Sequence, residues 1–295
     1  MKNGQSCSLL PTREPVKTMR ASKDGATGAW SKTLAPPRLT YHEISEATPK
    51  YLYSVSTAQF LAHVRCVQES VRSLNLRERV CPITFDDGHV SQYIHSLPIL
   101  QDEGARATFF ITAGWTNTRA GYMSWRQLAE LVRCGHEVQS HGWSHEFLTQ
   151  CSTQSLKEEL VRSKMELEDH LGVKVDAISA PGGRWNDKVL ESCADAGYKF
   201  FFTSDPWMTR EEHFGMKVSG RWMVTRKMTA ADIRARLLKA GPRLYLLRAD
   251  RLAKSVARML LGDHGYQMMW RALANKNKSM ETQEDQVICE PGMKT

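Results

Sequence analysis

The stretch RVCPITFDDGHVSQY (79–93) carries an apolar segment straight into two adjacent carboxylates, Asp86 and Asp87, followed by Gly88. Like charges side by side repel, and each costs free energy to bring out of water unless a cation or a hydrogen-bond donor meets it. The pair therefore marks the end of a buried strand where a cation or a hydrogen-bond donor must meet it. From Val80 onward, short apolar runs alternate with amphipathic ones. RVCPITF, RATFFIT, EVQSH, VDAISAPGG, KFFFTSD and MKVSGRWMVT read as strands. VSQYIHSLPILQDEGA, SWRQLAELVRCGHE, STQSLKEELVRSKMELEDHLG, NDKVLESCADAGY and TAADIRARLLKAG read as the helices between them. Ser124 caps the second helix and Gly135 stops it, while Leu156, Leu160, Met165, Leu167 and Leu171 form the apolar face of the third. The order predicts an α/β protein, a distorted parallel (β/α) barrel, in which chemistry is carried at the carboxyl ends of strands. Asp86 and Asp87 stand at one such end, His141 at another and Pro181 at a third.

At 295 residues, 41% hydrophobic and 24% charged, the chain has enough material for one sizeable core. Residues 1–38 mix Gly, Ser, Pro and Lys and read as a disordered leader, 39–248 as the barrel, and 249–295 as a basic, mainly helical extension and tail. Seven cysteines with no CxxC pair argue against a disulfide framework or a zinc ribbon. With no signal-like or spanning apolar run, the expectation is a cytoplasmic protein, peripheral at most to a membrane. Residues 221–278 hold 14 Lys or Arg against three acids, more positive charge than the chain's formal net of +8. The absence of a recognition motif, or of aromatics interleaved with that charge, argues against specific nucleic-acid binding. Leu252, Val256, Met259 and Leu260 share one side of a basic segment that either packs on the barrel or lies on an anionic membrane surface.

SHGWSH places His141 and His145 four residues apart. An isolated pair of this spacing is commonly just solvated surface. Together with one carboxylate of the Asp pair, it makes a facial set of three ligands that leaves positions open for water and substrate, a hydrolytic metal site.

TFDDG, SHGWSH and SAPGGRW, in that order and at strand ends, resemble the first three motifs of the polysaccharide deacetylase family, the metal-dependent carbohydrate de-N-acetylases. YHEISEATPKYLYSVSTAQFLAHV is similar to a lead-in that some members carry, so the resemblance covers roughly residues 41–207. It implies Asp86 as general base and Asp87, His141 and His145 as ligands of one divalent ion, zinc first, with cobalt, nickel, manganese or iron as alternatives. The implied reaction is metal-assisted hydrolysis of an N-acetyl group on a sugar or sugar-containing precursor. Pro181, Gly182, Arg184, Asp205 and Trp207 are the candidate substrate-binding residues.

Two positions depart from the family pattern. Where members often carry an Arg to orient the base, this chain has Ser179; Arg184 could supply a guanidinium from the other side. Where the family closes on Leu-x-His, whose His protonates the leaving amine, GPRLYLLRAD aligns Leu246 with the Leu and Arg248 with the His. Arginine is a poor proton donor. Arg248 is then the catalytic candidate for oxyanion or phosphate contact, with Asp86 returning the proton itself; His213 and His264 are further stand-ins for the acid. The alternative is a catalytically altered relative that binds glycan or polyanion. Candidate partners are an N-acetylated carbohydrate and an anionic membrane surface or lipid-linked sugar.

Overall fold

The computed structural model describes residues 37–49, 51–73, 82–208 and 211–238. Among these lie ten strands: β1 (Arg38–Tyr41), β2 (Glu43–Ser45), β3 (Ser54–Ser56), β4 (Ile83–Phe85), β5 (Thr108–Ile111), β6 (Glu137–Ser140), β7 (Ala177–Ser179), β8 (Phe200–Thr203), β9 (Glu211–His213) and β10 (Met216–Met223). The α-helices are α1 (Thr57–Ser73), α2 (Leu97–Asp102), α3 (Trp125–Arg133), α4 (Thr153–Leu171), α5 (Asp187–Asp195) and α6 (Ala230–Leu237). Strands β1, β4, β5, β6, β7, β8 and β10 are parallel neighbours in that order, and β10 pairs back onto β1. The sheet therefore closes into a seven-stranded parallel (β/α) barrel. β9 adds antiparallel to β10, and β2 with β3 makes a separate two-stranded parallel sheet.

Successive residues of a strand face opposite sides, and here both sides are buried. Phe85, Phe109, Ile178, Phe201 and Val218 belong to the large core beneath the helices, whereas Phe110, Ala177, Phe200 and Phe202 form a second cluster inside the barrel. KFFF is thus a strand packed on both faces. The helix ends follow their sequence signals. Ser124 and Gln127 form a capping box at α3, and Gly135, just beyond its end, takes the left-handed conformation at φ 85°. Two local readings change. Met165 is 55% exposed, so it is not part of the α4 apolar face. The helix after the Asp pair opens with a π-helical turn over Gln92–Ser96, where the Ser96 hydroxyl donates to the Gln92 carbonyl.

The barrel begins with β1, ahead of the region where alternation is legible, and it takes in Arg38, which is buried over the Phe202 ring at 5.1 Å. α6 closes the ring by packing on α1. His63 on α1 ties the two together: its Nε2 lies 2.9 Å from the Met228 carbonyl, and its Nδ1 lies 3.2 Å from the Tyr41 hydroxyl. A neutral ring that donates from Nε2 and accepts at Nδ1 satisfies both contacts. Residues 1–36 and 239–295, which carry most of the leader, Arg248, His264 and the basic extension, lie outside the described residues, as does any membrane contact of that extension. No described helix is long and apolar enough to cross a membrane.

Burial pushes the His63 imidazole down to about 4, against the pull of the Met228 carbonyl and Asp232. The unfolded chain then takes up this proton first as pH falls through about 6.5, so folding stability is lost progressively from there down to about 4. His63 alone accounts for about 3 kcal/mol over that window, and buried His136, also lowered to about 4, adds in the same direction. Urea denaturation at about pH 7 and about pH 4.5 should show this decline, and His63→Asn should flatten it. An unchanged slope in that variant would remove His63 as the cause.

Candidate active site

The register of β1 against β4 pairs Tyr41 with Phe85, so the next residues, His42 and Asp86, emerge side by side at the carboxyl mouth of the barrel. The Asp86 amide donates to the Tyr41 carbonyl at 3.0 Å. Gln92, fully buried in the π-helical turn, clamps the two strand ends: its Nε2 donates to the His42 carbonyl at 2.7 Å and to the Asp86 carbonyl at 2.6 Å. A regular α-turn would aim this amide elsewhere, so the π-turn serves the site, as such bulges often do.

Asp86 is 3% exposed and its counter-charge is Arg221, 0% exposed, from the middle of β10. The pair is bidentate, Nη1 to Oδ1 and Nη2 to Oδ2, both at 2.7 Å. Ser179 donates its hydroxyl to Asp86 Oδ2 at 3.1 Å, and Arg221 Nη2 reaches Ser179 as well. From below, the guanidinium rests 5.0 Å from the Phe110 ring centroid inside the barrel. Burial works against charge on Asp86, but Arg221 and then His141 outweigh it and hold the carboxyl below its usual range. The guanidinium sought in Arg184 is therefore Arg221. Arg184 instead stacks on Phe147, 4.3 Å from its centroid.

Asp87, one residue on, has left-handed backbone (φ 75°), which swings its carboxylate away from Arg221. Its Oδ1 lies 3.3 Å from His141 Nε2 and 3.1 Å from His145 Nε2. His141 and His145 share no helical turn. They sit on the loop after β6, where Gly142 at φ 80° and His145 at φ 68° turn both rings to one side. Glycine adopts this conformation freely, but at His145 it costs free energy and persists only where the surroundings impose it. Glu159 of α4, 7% exposed, does so by accepting the amides of Trp143 and Ser144 at 2.8 and 3.0 Å and the Ser144 hydroxyl at 2.5 Å. A Cβ on Gly142 would come within 3.1 Å of that carboxylate.

One ligand atom from each of Asp87, His141 and His145 lies within 4.8 Å of the others. His141 Nδ1 donates to the Ser179 carbonyl at 2.8 Å, which leaves Nε2 with a lone pair aimed at the carboxylate. Buried Oδ1 of Asp87 accepts no well-formed hydrogen bond. Acceptors converging without a donor call for a cation, and two imidazoles with a carboxylate suit a divalent metal such as zinc. Without a cation, protonation of the two imidazoles fills that role: burial opposes the charge on Asp87, yet the protonated rings override it and keep the carboxyl well below its usual range. Burial also favours neutral His141, but Asp86 and Asp87 raise it above its ordinary value.

His42 is the residue that sequence reasoning passed over. Burial lowers its imidazole below the ordinary value, against opposing pulls from Asp86 and Asp87, so it shares their electrostatic environment. Its buried Nδ1 has no hydrogen-bond partner among the described residues, and its ring packs 5.4 Å from that of Tyr53. The available signal was YHEI itself, a short apolar run ending on a polar residue, the same pattern as TFDD. The other predicted residues divide. Pro181 is buried at the end of β7 beside Gly142, while Gly182 packs against Phe147. Asp205 accepts the Trp207 amide at 3.0 Å, and the Trp207 ring meets Trp222 edge-on at 5.1 Å, a packing role at the barrel wall. His213 packs near Trp185, with ring centroids 6.0 Å apart.

Arg221→Met leaves Asp86 charged and unpaired inside the barrel, a loss of about 3–5 kcal/mol. Asp86 can relieve this by taking a proton, so the variant should melt lower and its Asp86 should titrate higher. Unchanged denaturation and an unchanged Asp86 carboxyl resonance on NMR titration would overturn the pairing.

Residues 73–201 match the family model described as polysaccharide deacetylase, a span that contains all three motifs. The Bacillus subtilis protein YxkH is 28% identical over 213 residues, 66% of this chain and 74% of that protein. The peptidoglycan-N-acetylglucosamine deacetylase of Bacillus cereus is 31% identical over 123 residues, 41% of this chain and 55% of that one. Among solved structures, the Streptococcus pyogenes deacetylase PplD in complex with acetate aligns with TM-score 0.58 and 26% identity over 68% of this chain and 97% of that chain. This chain thus spans from about a quarter to nearly the whole length of the relatives it matches.

Proposed function

We propose that this chain, which belongs to the polysaccharide deacetylase family through residues 73–201, hydrolyses the N-acetyl group of an amino sugar in a glycan and releases acetate. The observation that carries the proposal is the division of labour between the adjacent carboxylates. Asp86 is locked to a buried guanidinium, and Asp87 faces two imidazole nitrogens. Amide hydrolysis needs both a base that stays ionised and a centre that polarises the carbonyl. A divalent ion, zinc on this donor set, would be held by Asp87, His141 and His145 and would supply Lewis-acid polarisation and an acidified water.

The protein's own residues account for the rest. Arg221 and Ser179 fix Asp86 and keep it charged, so it can accept the proton of the attacking water. His42, beside it, is positioned to hand a proton to the departing amine. Burial lowers its pKa against the pull of Asp86 and Asp87, which makes its imidazolium a stronger acid but a scarcer one near neutral pH. Arg248 is then not needed as a substitute for the acid.

Sugar binding is supported by the rings around the triad. Trp115 stacks on His145 at 5.0 Å and packs on Tyr122 at 4.5 Å, and Tyr51, 49% exposed, shares the field of Asp87. The test is acetate release from a panel of N-acetylated oligosaccharides by the zinc-loaded protein, expected to stop on chelation and return with metal. No release from any of them would overturn the proposal.

A further inference from the structure

The loop after β5, AGWTNTRAGYMS (113–124), is held unusually firmly for a barrel-mouth loop. Its backbone ties into the Asp-pair turn: Met123 N donates to the Gly88 carbonyl at 3.0 Å, and Val90 N donates to the Gly121 carbonyl at 2.8 Å. Within the loop, the Thr118 hydroxyl donates to the Gly114 carbonyl at 2.5 Å, and Trp125 N donates to Asn117 Oδ1 at 3.1 Å. What this frame presents is Arg119. Its guanidinium carbon stands 4.2 Å from the Trp115 ring centroid and 5.1 Å from that of Tyr122. Trp115 in turn stacks on the ring of His145. A continuous stack therefore leads from a metal-ligating imidazole, through an indole, to an exposed guanidinium.

An exposed arginine ordinarily swings free or finds a surface carboxylate. Arg119 does neither: it is fixed by two rings, and among the described residues no carboxylate or hydrogen-bond acceptor meets its side chain. Stacking fixes the guanidinium plane while leaving its N–H edge free to receive a planar oxyanion. Arg184 is arranged likewise on Phe147, again with no ion pair among the described residues. The chain's formal charge of +8 favours the same class of ligand.

Resting on the deacetylase reading, we infer that Arg119 is a specificity-determining residue that binds an anionic substituent of the glycan, a carboxylate or phosphate outside the acetamido group, and that this site prefers anionic over neutral N-acetylated glycans. The contact lies two ring contacts from the metal-ligating histidine. It serves binding rather than bond breaking, so it should appear in KM and leave kcat nearly unchanged.

The experiment compares zinc-loaded wild type with Arg119→Ala, Arg119→Gln and Arg119→Lys on three matched N-acetylated oligosaccharides: neutral, carboxylate-bearing and phosphate-bearing. The two anionic arms distinguish the source of the oxyanion. Arg119→Ala should lower kcat/KM on the anionic substrates about 5- to 10-fold through KM, the scale of an exposed charged contact. Its effect on the neutral one should be within about 2-fold. Arg119→Lys should restore only part of the loss, because an ammonium lacks the stacked planar fork. Equal losses on neutral and anionic substrates, or no loss on anionic ones, would overturn the inference. If wild type cleaves none of the three, the deacetylase reading fails separately, and calorimetric binding of the same oligosaccharides decides the matter. A charge-dependent affinity that Arg119→Ala and Arg119→Gln both remove upholds the inference; one they leave intact overturns it.

Discussion

Asp86→Asn is expected to lower acetate release by on the order of 10²-fold or more while zinc stoichiometry stays near one. The amide oxygen is no base, so the water proton has no acceptor at the right position. The same change removes the counter-charge of Arg221, which is 0% exposed, so the variant should also melt lower. Activity must therefore be compared below its melting transition, with circular dichroism to show the fold intact and elemental analysis to count the metal. Asp87→Ala provides the contrast, since a site of three protein ligands cannot spare one and the metal itself should go. Near-normal turnover in folded, metal-loaded Asp86→Asn would sink the base assignment. Full zinc occupancy in Asp87→Ala would sink the ligand assignment.

His42→Phe should cost on the order of 10²-fold or more in kcat, with metal binding unaffected. Phenylalanine keeps an aromatic ring against Tyr53 and removes only the titratable nitrogens, so folding should be largely preserved. An amide cannot expel its nitrogen as an anion in water, and loss of the proton donor should therefore fall on the chemical step more than on substrate binding. The competing route has Asp86 return the proton it took from water. Under that route His42→Phe would retain most of its activity, a result that would dismiss His42 as the acid. A substrate with a leaving group that needs no protonation separates the two further: activated esters should be spared in His42→Phe but not in Asp86→Asn.

The elements legible in the sequence were those whose signal is local. RATFFIT, EVQSH and KFFF are apolar runs of strand length, Ser124 and Gly135 are cap and stop residues, and the helices between carry a 3.6-residue period. Three motifs at strand ends were likewise enough to bring Asp87, His141 and His145 together as a candidate ligand set, because parallel strands must bring their carboxyl ends to one rim. β1 escaped this reading. It is a four-residue strand separated from β4 by α1, and only pairing with both β4 and β10 makes it part of the barrel.

The sequence by itself determined the barrel, the Asp–His–His triad and the chemistry such a triad supports. Tertiary structure alone decided what surrounds the two carboxylates. Arg221 lies 135 residues from Asp86, inside a strand that reads as ordinary, and Glu159 braces the histidine loop from a helix 14 residues beyond His145. His42 lies 44 residues before Asp86 and becomes its neighbour only when β1 enters the sheet. The physical reason is that a buried charge needs a partner in space, whereas the residue types that satisfy it can come from any strand that closure of the barrel brings alongside.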